Sequence, residues 1–256
     1  MAGEFQDKSI LITGASKGLG YVCAREFEKQ GAQLVMVARS SSKLEQLKST
    51  FSNPAKHLVF SADLVNYDSI QSLVKEGLEH SGGFDIVLHV LGGGYGFRDP
   101  LITWEQLDTL YKVNVGVAAE INRLIVPEMV EKKYGRLVHV GSIASNEVTG
   151  SVGYNTVKSA LAAYVRSLGR ELAESRVVVS GILPGAFYAP ENSWERLKAT
   201  KPEVVKEFIE KNLPRKRIAD VDELLPLIFF LAGKAASMMS GCCVPIDAGE
   251  GKSYVG

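Results

Sequence analysis

Ile10-Leu11-Ile12-Thr13-Gly14-Ala15-Ser16-Lys17-Gly18-Leu19-Gly20 is an apolar run that breaks into three glycines within seven positions. Residues 10–13 read as a buried strand and residues 19–30 as an amphipathic helix, with Gly31 as its C-terminal stop. Glycines between a strand and a helix allow a tight turn. They also let the backbone approach a pyrophosphate, which the free N–H groups of a helix N-terminus attract. The spacing is G-x-x-x-G-x-G rather than the commoner G-x-G-x-x-G of dinucleotide sites.

Outward from this unit the alternation continues. Strands are expected at 34–38, 57–61, 86–91, 137–140 and 177–183, with a short last one marked by Val244 and Ile246. Helices are expected at 42–51, 67–80, 153–174 and 222–232, and a long helical stretch at 104–132 that Pro127 should kink or end. Strands and helices alternating at this length imply parallel strands with right-handed crossovers. The expected fold is α/β, one doubly wound Rossmann domain over residues 1–256. Its sheet is mostly parallel and seven-stranded, with helices on both faces. The stretch between Pro184 and Arg217 breaks the pattern. Pro190, Pro202 and Pro214 punctuate it, while Trp194, Leu197, Val204, Val205, Phe208, Ile209 and Leu213 recur at helical spacing. One or two short amphipathic helices fit, packed on a core or, over 186–216, forming a substrate lid.

Charge and composition exclude several function classes. The 29 basic and 29 acidic residues cancel without a long like-charge run, against a nucleic-acid or polybasic membrane surface. The opening Met1-Ala2-Gly3-Glu4-Phe5-Gln6-Asp7 is polar and acidic, unlike a signal peptide, and the apolar run 224–232 is too short to span a bilayer and contains Pro226. Cys23, Cys242 and Cys243 show no disulfide framework, and His57, His80, His89 and His139 show no ligand spacing. No metal is expected, the histidines read as packing or surface residues, and a reducing cytoplasm fits.

Two constellations carry chemistry. Tyr154-Asn155-Thr156-Val157-Lys158 places a phenol and an ammonium one helical turn apart on one face. A cation about 5 Å away at an effective dielectric of about 20 favours the phenolate by roughly 3 kcal/mol, enough to make tyrosine a usable proton-transfer group. The second concerns the cofactor. An NAD site carries Asp or Glu at the end of its second strand. Here Ala38 and Arg39 stand there, nothing between Lys29 and Leu44 is acidic, and Lys17 and Lys43 lie close by. A 2′-phosphate would meet cations, so NADP(H) is expected. The late Gly249-Glu250-Gly251-Lys252-Ser253 is not a triphosphate loop, because Ile246 stands where a glycine is needed.

Taken in order, the motifs resemble those of the short-chain dehydrogenase/reductase family over nearly the whole chain. They are Thr13-Gly14-x-x-x-Gly18-x-Gly20, Asp63, Asn114, Ser142, Tyr154-x-x-x-Lys158, Pro184-Gly185 and Ser240-Gly241…Asp247-Ala248-Gly249. The resemblance implies a catalytic set of Asn114, Ser142, Tyr154 and Lys158. In it Tyr154 is general acid or base, Ser142 hydrogen-bonds the substrate oxygen, Lys158 lowers the Tyr154 pKa and binds the nicotinamide ribose, and Asn114 holds a relay water. It implies that Gly14, Ser16, Lys17, Gly18, Leu19 and Gly20 bind the cofactor through the turn. Arg39 contributes beside them, Asp63 and Leu64 lie at the adenine, and Gly92, Pro184 and Gly185 lie near the nicotinamide.

Departures accompany the match. His89-Val90-Leu91-Gly92 replaces the family's Asn-Asn-Ala-Gly, so a His89 ring N–H takes over tying the central sheet. His139 and Gly141 flank the serine unusually, and Phe187 and Tyr188 stand where a threonine often touches the cofactor amide. The expected activity is NADP(H)-dependent interconversion of a ketone and a secondary alcohol, resembling 3-oxoacyl-thioester reductases. Sugar or polyol dehydrogenases are the alternative. A basic entrance for an acyl carrier would use Lys198, Lys201, Lys206, Lys211, Arg215, Lys216 and Arg217, but Glu191, Glu195, Glu203, Glu207 and Glu210 interleave with them. A non-catalytic NADP-sensing module is disfavoured because all four catalytic positions are filled. The family also implies a homo-oligomer, dimer or tetramer, built on 104–132 and 153–174, with a small-molecule carbonyl or alcohol as the only other partner.

Overall fold

The computed structural model describes residues 3–253; Met1, Ala2 and 254–256 lie outside, and with them the ends of the domain expected over 1–256. The first strand, β1 (Ser9–Thr13), is buried along its whole length. With β2 (Gln33–Ala38), β3 (Leu58–Ser61), β4 (Ile86–His89), β5 (Gly135–Val140), β6 (Val177–Pro184) and β9 (Cys243–Ile246) it forms a seven-stranded sheet. The order is β3-β2-β1-β4-β5-β6-β9, and every pairing is parallel. Strands covered on both faces need apolar side chains in both directions, which explains their unbroken hydrophobic runs.

The period of two along β1 and β2 divides the core. Ile10, Ile12, Leu34 and Met36 face α1 (Gly18–Lys29) and α9 (Leu225–Ala232), meeting Phe27 and Ile228. Leu11, Val35 and Val37 face the opposite layer of α3 (Tyr67–Ser81), α5 (Val117–Glu131) and α6 (Val152–Glu171), meeting Leu73, Ile121 and Leu161. Strand order reverses between β1 and β4, so a crevice opens at their C-terminal ends, where doubly wound folds bind ligands. The Gly14–Gly20 turn and the Gly92–Gly96 loop both leave the sheet there.

Several boundaries differ from the sequence reading, three of them with a local cause in the contacts. The 104–132 stretch is broken, but not at Pro127, which stays inside α5. The break is a π-turn, Lys112–Gly116, between α4 (Trp104–Tyr111) and α5. Within it, the Asn114 side chain donates to the Leu110 carbonyl at 2.9 Å, inserting itself into the helical ladder. Strand β4 stops at His89 rather than 91, because the N–H groups of Val90 and Leu91 both turn to Thr13 Oγ1 at 3.1 Å. The 222–232 helix begins as a 3-10 turn, Val221–Leu224. Its α-helical part starts at Leu225, so Pro226 falls in the first turn, where its missing N–H costs nothing.

The irregular stretch holds α7 (Ser193–Thr200) and α8 (Pro202–Asn212), the two short helices expected. Ala186, Val205, Leu213 and Ile218 form a small core of their own beneath them, with the rings of Trp194 and Phe208 4.4 Å apart. At its base β7 (Phe187–Tyr188) pairs with β8 (Ala219–Asp220), a two-stranded sheet that such short runs do not announce. Among the described residues no helix is long and apolar enough to cross a membrane.

Candidate active site

Tyr154 is the third residue of α6, and Lys158 follows one turn later on the same face. Its ammonium lies 5.6 Å from the centre of the Tyr154 ring. Ser142 leaves the end of β5 in extended backbone and caps the following 3-10 turn, its hydroxyl accepting the Ala144 N–H at 3.1 Å. The same hydroxyl lies near enough to Tyr154 to act on its titration. Asn114, in the π-turn, grips Gly93 through two 3.0 Å bonds, accepting from its N–H and donating to its carbonyl. Gly92 closes the group. A Cβ there would lie 2.8 Å from Asn114 Oδ1 and 3.2 Å from Lys158 Nζ, so only glycine allows this approach. The four residues expected to act together are therefore brought together, from three different elements.

The electrostatics differ from the bare-pair argument. Burial raises the Tyr154 pKa, and the nearby Ser142 hydroxyl opposes that rise. Lys158 is itself almost fully buried. Desolvation pulls its pKa down to about 8, and its ammonium donates to the Val140 carbonyl at 3.0 Å. A cation at this separation does not override desolvation of the phenol, so Tyr154 is held as a neutral O–H at physiological pH.

The glycine turn has the geometry of a phosphate cradle. The N–H groups of Gly14 and Ala15 both donate to the Val37 carbonyl, at 2.9 and 3.2 Å, which pins the turn to β2. A Cβ on Gly20 would lie 2.5 Å from the Gly14 carbonyl oxygen, so α1 abuts the turn only because position 20 is glycine. No side chain caps α1, where Lys17 is the N-cap residue. The cradle thus fits a dinucleotide pyrophosphate.

The profile of the short chain dehydrogenase family matches residues 8–199. The chain belongs to this family. It is an oxidoreductase of the kind that acts on CH–OH and C=O groups. Oxidoreductase UcpA of Salmonella typhimurium is 30% identical over 257 residues, covering 97% of this chain and 96% of that protein. Among solved structures, levodione reductase is similar at 27% identity and TM-score 0.87, over 96% of this chain and 98% of that one. L-sorbose reductase from Gluconobacter frateurii, complexed with NADPH and L-sorbose, is 25% identical with TM-score 0.89, over 99% and 100%.

The other residues expected at the cofactor sit as follows. Arg39 and Asp63 are exposed and face each other at 4.0 Å, and Asp63 also accepts the Val65 N–H at 3.2 Å. Leu64 is buried in the core, so its side chain has no surface to offer a ligand. Ser16 is half-buried and Lys17 exposed. Pro184 ends β6, and Gly185 donates to the Ile246 carbonyl at 3.3 Å.

The His89 ring N–H ties the central sheet as expected, though its partners were not legible in the sequence, and a second grouping escaped the sequence altogether. His89 and His139 are register partners on β4 and β5, and their rings stack at 4.6 Å. His89 Nε2 donates to Asn122 Oδ1 at 2.8 Å, while Asn122 Nδ2 donates to the Tyr164 hydroxyl at 3.0 Å and points at His139 Nε2 at 3.4 Å. His139 Nδ1 donates to the Ser180 carbonyl at 3.1 Å. Burial lowers both imidazoles, His89 to about 4, so both are neutral ties across the central sheet. The odd residue at each strand end was the available signal; the pairing needed the register. The second grouping joins the C-terminal segment to the site. Glu250 accepts the Ala186 N–H at 2.6 Å, and Glu147, on the loop after Ser142, accepts the Lys252 N–H at 2.6 Å. Nothing in the sequence pointed to it.

Proposed function

We propose that the enzyme reduces a small polar ketone to a secondary alcohol with NADPH, Tyr154 delivering the proton. The observation that carries this is the gathering of Tyr154 with Ser142, Lys158 and Asn114, where desolvation raises the Tyr154 pKa and so keeps the phenol neutral. A neutral phenol is the form a general acid needs for reduction. The cofactor supplies the hydride when bound. Ser142 orients the phenol and donates toward the substrate oxygen, where negative charge develops. Lys158, with its pKa near 8, stays protonated at pH 7 and restores the Tyr154 proton, while Asn114 holds the Gly92–Gly93 backbone against it. Gly14, Ser16, Lys17, Gly18, Leu19 and Gly20 would cradle the pyrophosphate, and Lys17, Arg39 and Lys43 would take the 2′-phosphate. Asp63 and the Leu64 backbone would meet the adenine, Gly92, Pro184 and Gly185 the nicotinamide. NADPH in the similar L-sorbose reductase supports the cofactor reading.

Charge on the 186–216 lid favours a free ketone over an acyl-carrier thioester. Lys211 pairs with Glu207 at 2.6 Å, and Arg215 and Arg217 converge on Glu223 at 2.9 and 2.6 Å. Three of the cations that an acidic carrier protein would use are thus already neutralised. NADPH oxidation against a panel of keto-sugars and other small ketones, beside a short 3-oxoacyl thioester, tests this. Turnover of the thioester alone would reverse the substrate reading. Exposed Leu101, Trp104, Tyr111 and Val152 on and beside α4 and the start of α6 support a homo-oligomer, which light scattering would measure.

A further inference from the structure

The chain that leaves β6 crosses over the glycine turn. The Pro190 carbonyl accepts the Gly18 N–H at 2.7 Å, so one donor of the phosphate cradle is engaged by the base of the lid. The next residue, Glu191, has φ 58°, a conformation that non-glycine residues hold only where their surroundings impose it. Here the surroundings are specific. The Glu191 N–H donates to Glu195 Oε2 at 2.8 Å, and its carbonyl accepts from the Arg196 guanidinium. Asn192 caps α7 by accepting the Glu195 N–H at 2.9 Å and donates to the Phe187 carbonyl at 2.7 Å. This constrained backbone delivers the Glu191 carboxylate to Lys43, with which it forms an ion pair across 148 positions of sequence. Lys43 and, more weakly, Lys17 hold the Glu191 carboxyl below its ordinary range.

Two of the three cations read as a 2′-phosphate site therefore already face a carboxylate. Arg39 faces Asp63, which is fixed to the end of β3. Lys43 faces Glu191, which belongs to the lid. We propose that Glu191 is a specificity-determining residue, a lid carboxylate that competes with the cofactor 2′-phosphate for Lys43. NADP(H) displaces it, whereas NAD(H), lacking that phosphate, leaves the pair intact. Both partners are about half exposed, so the pair exchanges readily. A phosphate, with more charge and more acceptor oxygens, is the stronger partner. Because Lys43 cannot serve both anions fully, 2′-phosphate binding and the lid contact oppose each other reciprocally.

The inference rests on the NADP(H) reading, and the test separates the two. Dissociation constants of NADPH and NADH are measured for the wild type, Glu191→Gln, Lys43→Met and the double variant, with thermal unfolding confirming that each is folded. Glu191→Gln is expected to tighten NADPH roughly two- to fivefold and to leave NADH nearly unchanged. In the Lys43→Met background the same substitution is expected to do nothing. Equal tightening of both cofactors, or a gain that persists without Lys43, would mean general repulsion and overturn the proposal. An unchanged NADPH affinity in Glu191→Gln would overturn it too. A wild type that binds NADH more tightly than NADPH removes the cofactor reading itself, before any variant is compared.

Discussion

The two ends of the crevice are built on opposite principles. At the Tyr154 end, Lys158 is buried and Tyr154 half-buried, with Lys158 held by a backbone carbonyl and both residues close to glycines. At the end read as the phosphate site, Lys17, Arg39, Asp63 and Glu191 are exposed and Lys43 is half-buried, with Arg39 paired to Asp63 and Lys43 to Glu191. Under the proposed function, desolvation would set the chemistry in the first region and exchangeable charge the choice of cofactor in the second. One ligand spanning both would draw fixed geometry from one end and discrimination from the other.

The comparison breaks most sharply at Tyr154. Tyr154→Phe is expected to lower kcat by about 10²–10⁴-fold while leaving NADPH affinity within a few fold, read by steady-state kinetics and direct binding. A similar loss of cofactor affinity would mean that the two ends are not separable.

Lys158 sharpens it through pH. Its pKa falls from 10.5 unfolded to about 8 folded, so between those values the unfolded chain binds more protons. The penalty of burying the ammonium is therefore full below pH 8 and is relieved as pH rises toward 10.5. Wild type should gain on Lys158→Met by about 1.4 kcal/mol per pH unit within that window, measured by denaturant unfolding. Over the same range kcat should fall, as the proton source is lost. A stability difference that stays flat would place the ammonium in contact with water.

Gly92→Ala tests close packing at the same end. The added methyl meets Asn114 and Lys158 at once and should cost about 1–3 kcal/mol of stability, with a loss of kcat, seen by thermal unfolding and kinetics. At the phosphate end effects should be smaller and salt-sensitive. Arg39→Ala is expected to weaken NADPH roughly two- to fivefold, leave NADH unaffected, and lose its effect at high salt.

The parts legible in the sequence were those whose cause is local. Apolar runs gave the strands, the Gly14–Gly20 spacing gave the turn, and four-residue spacing put Tyr154 and Lys158 on one face. The parts that stayed hidden depend on partners distant in sequence. Pro127 looked like the natural break in 104–132, yet the break lies at Asn114. That side chain is committed to Gly93, 21 positions away, and to the Leu110 carbonyl. His89 and His139 looked scattered until the β4–β5 register stacked them beneath the site. The Tyr154 pKa could not be judged from a spacing, because burial opposes the nearby cation and burial is a property of the folded whole.

Sequence alone thus determined the layered sheet, the position of the crevice and the residue types that meet in it, because backbone propensity and side-chain period act over a few residues. Only the tertiary structure decided which charges are already spoken for. Lys43 reads as a free phosphate ligand along the chain, and becomes the partner of Glu191 once the segment after β6 folds back over the turn. Coulombic pairing depends on distance in space, and the fold brings those two residues together.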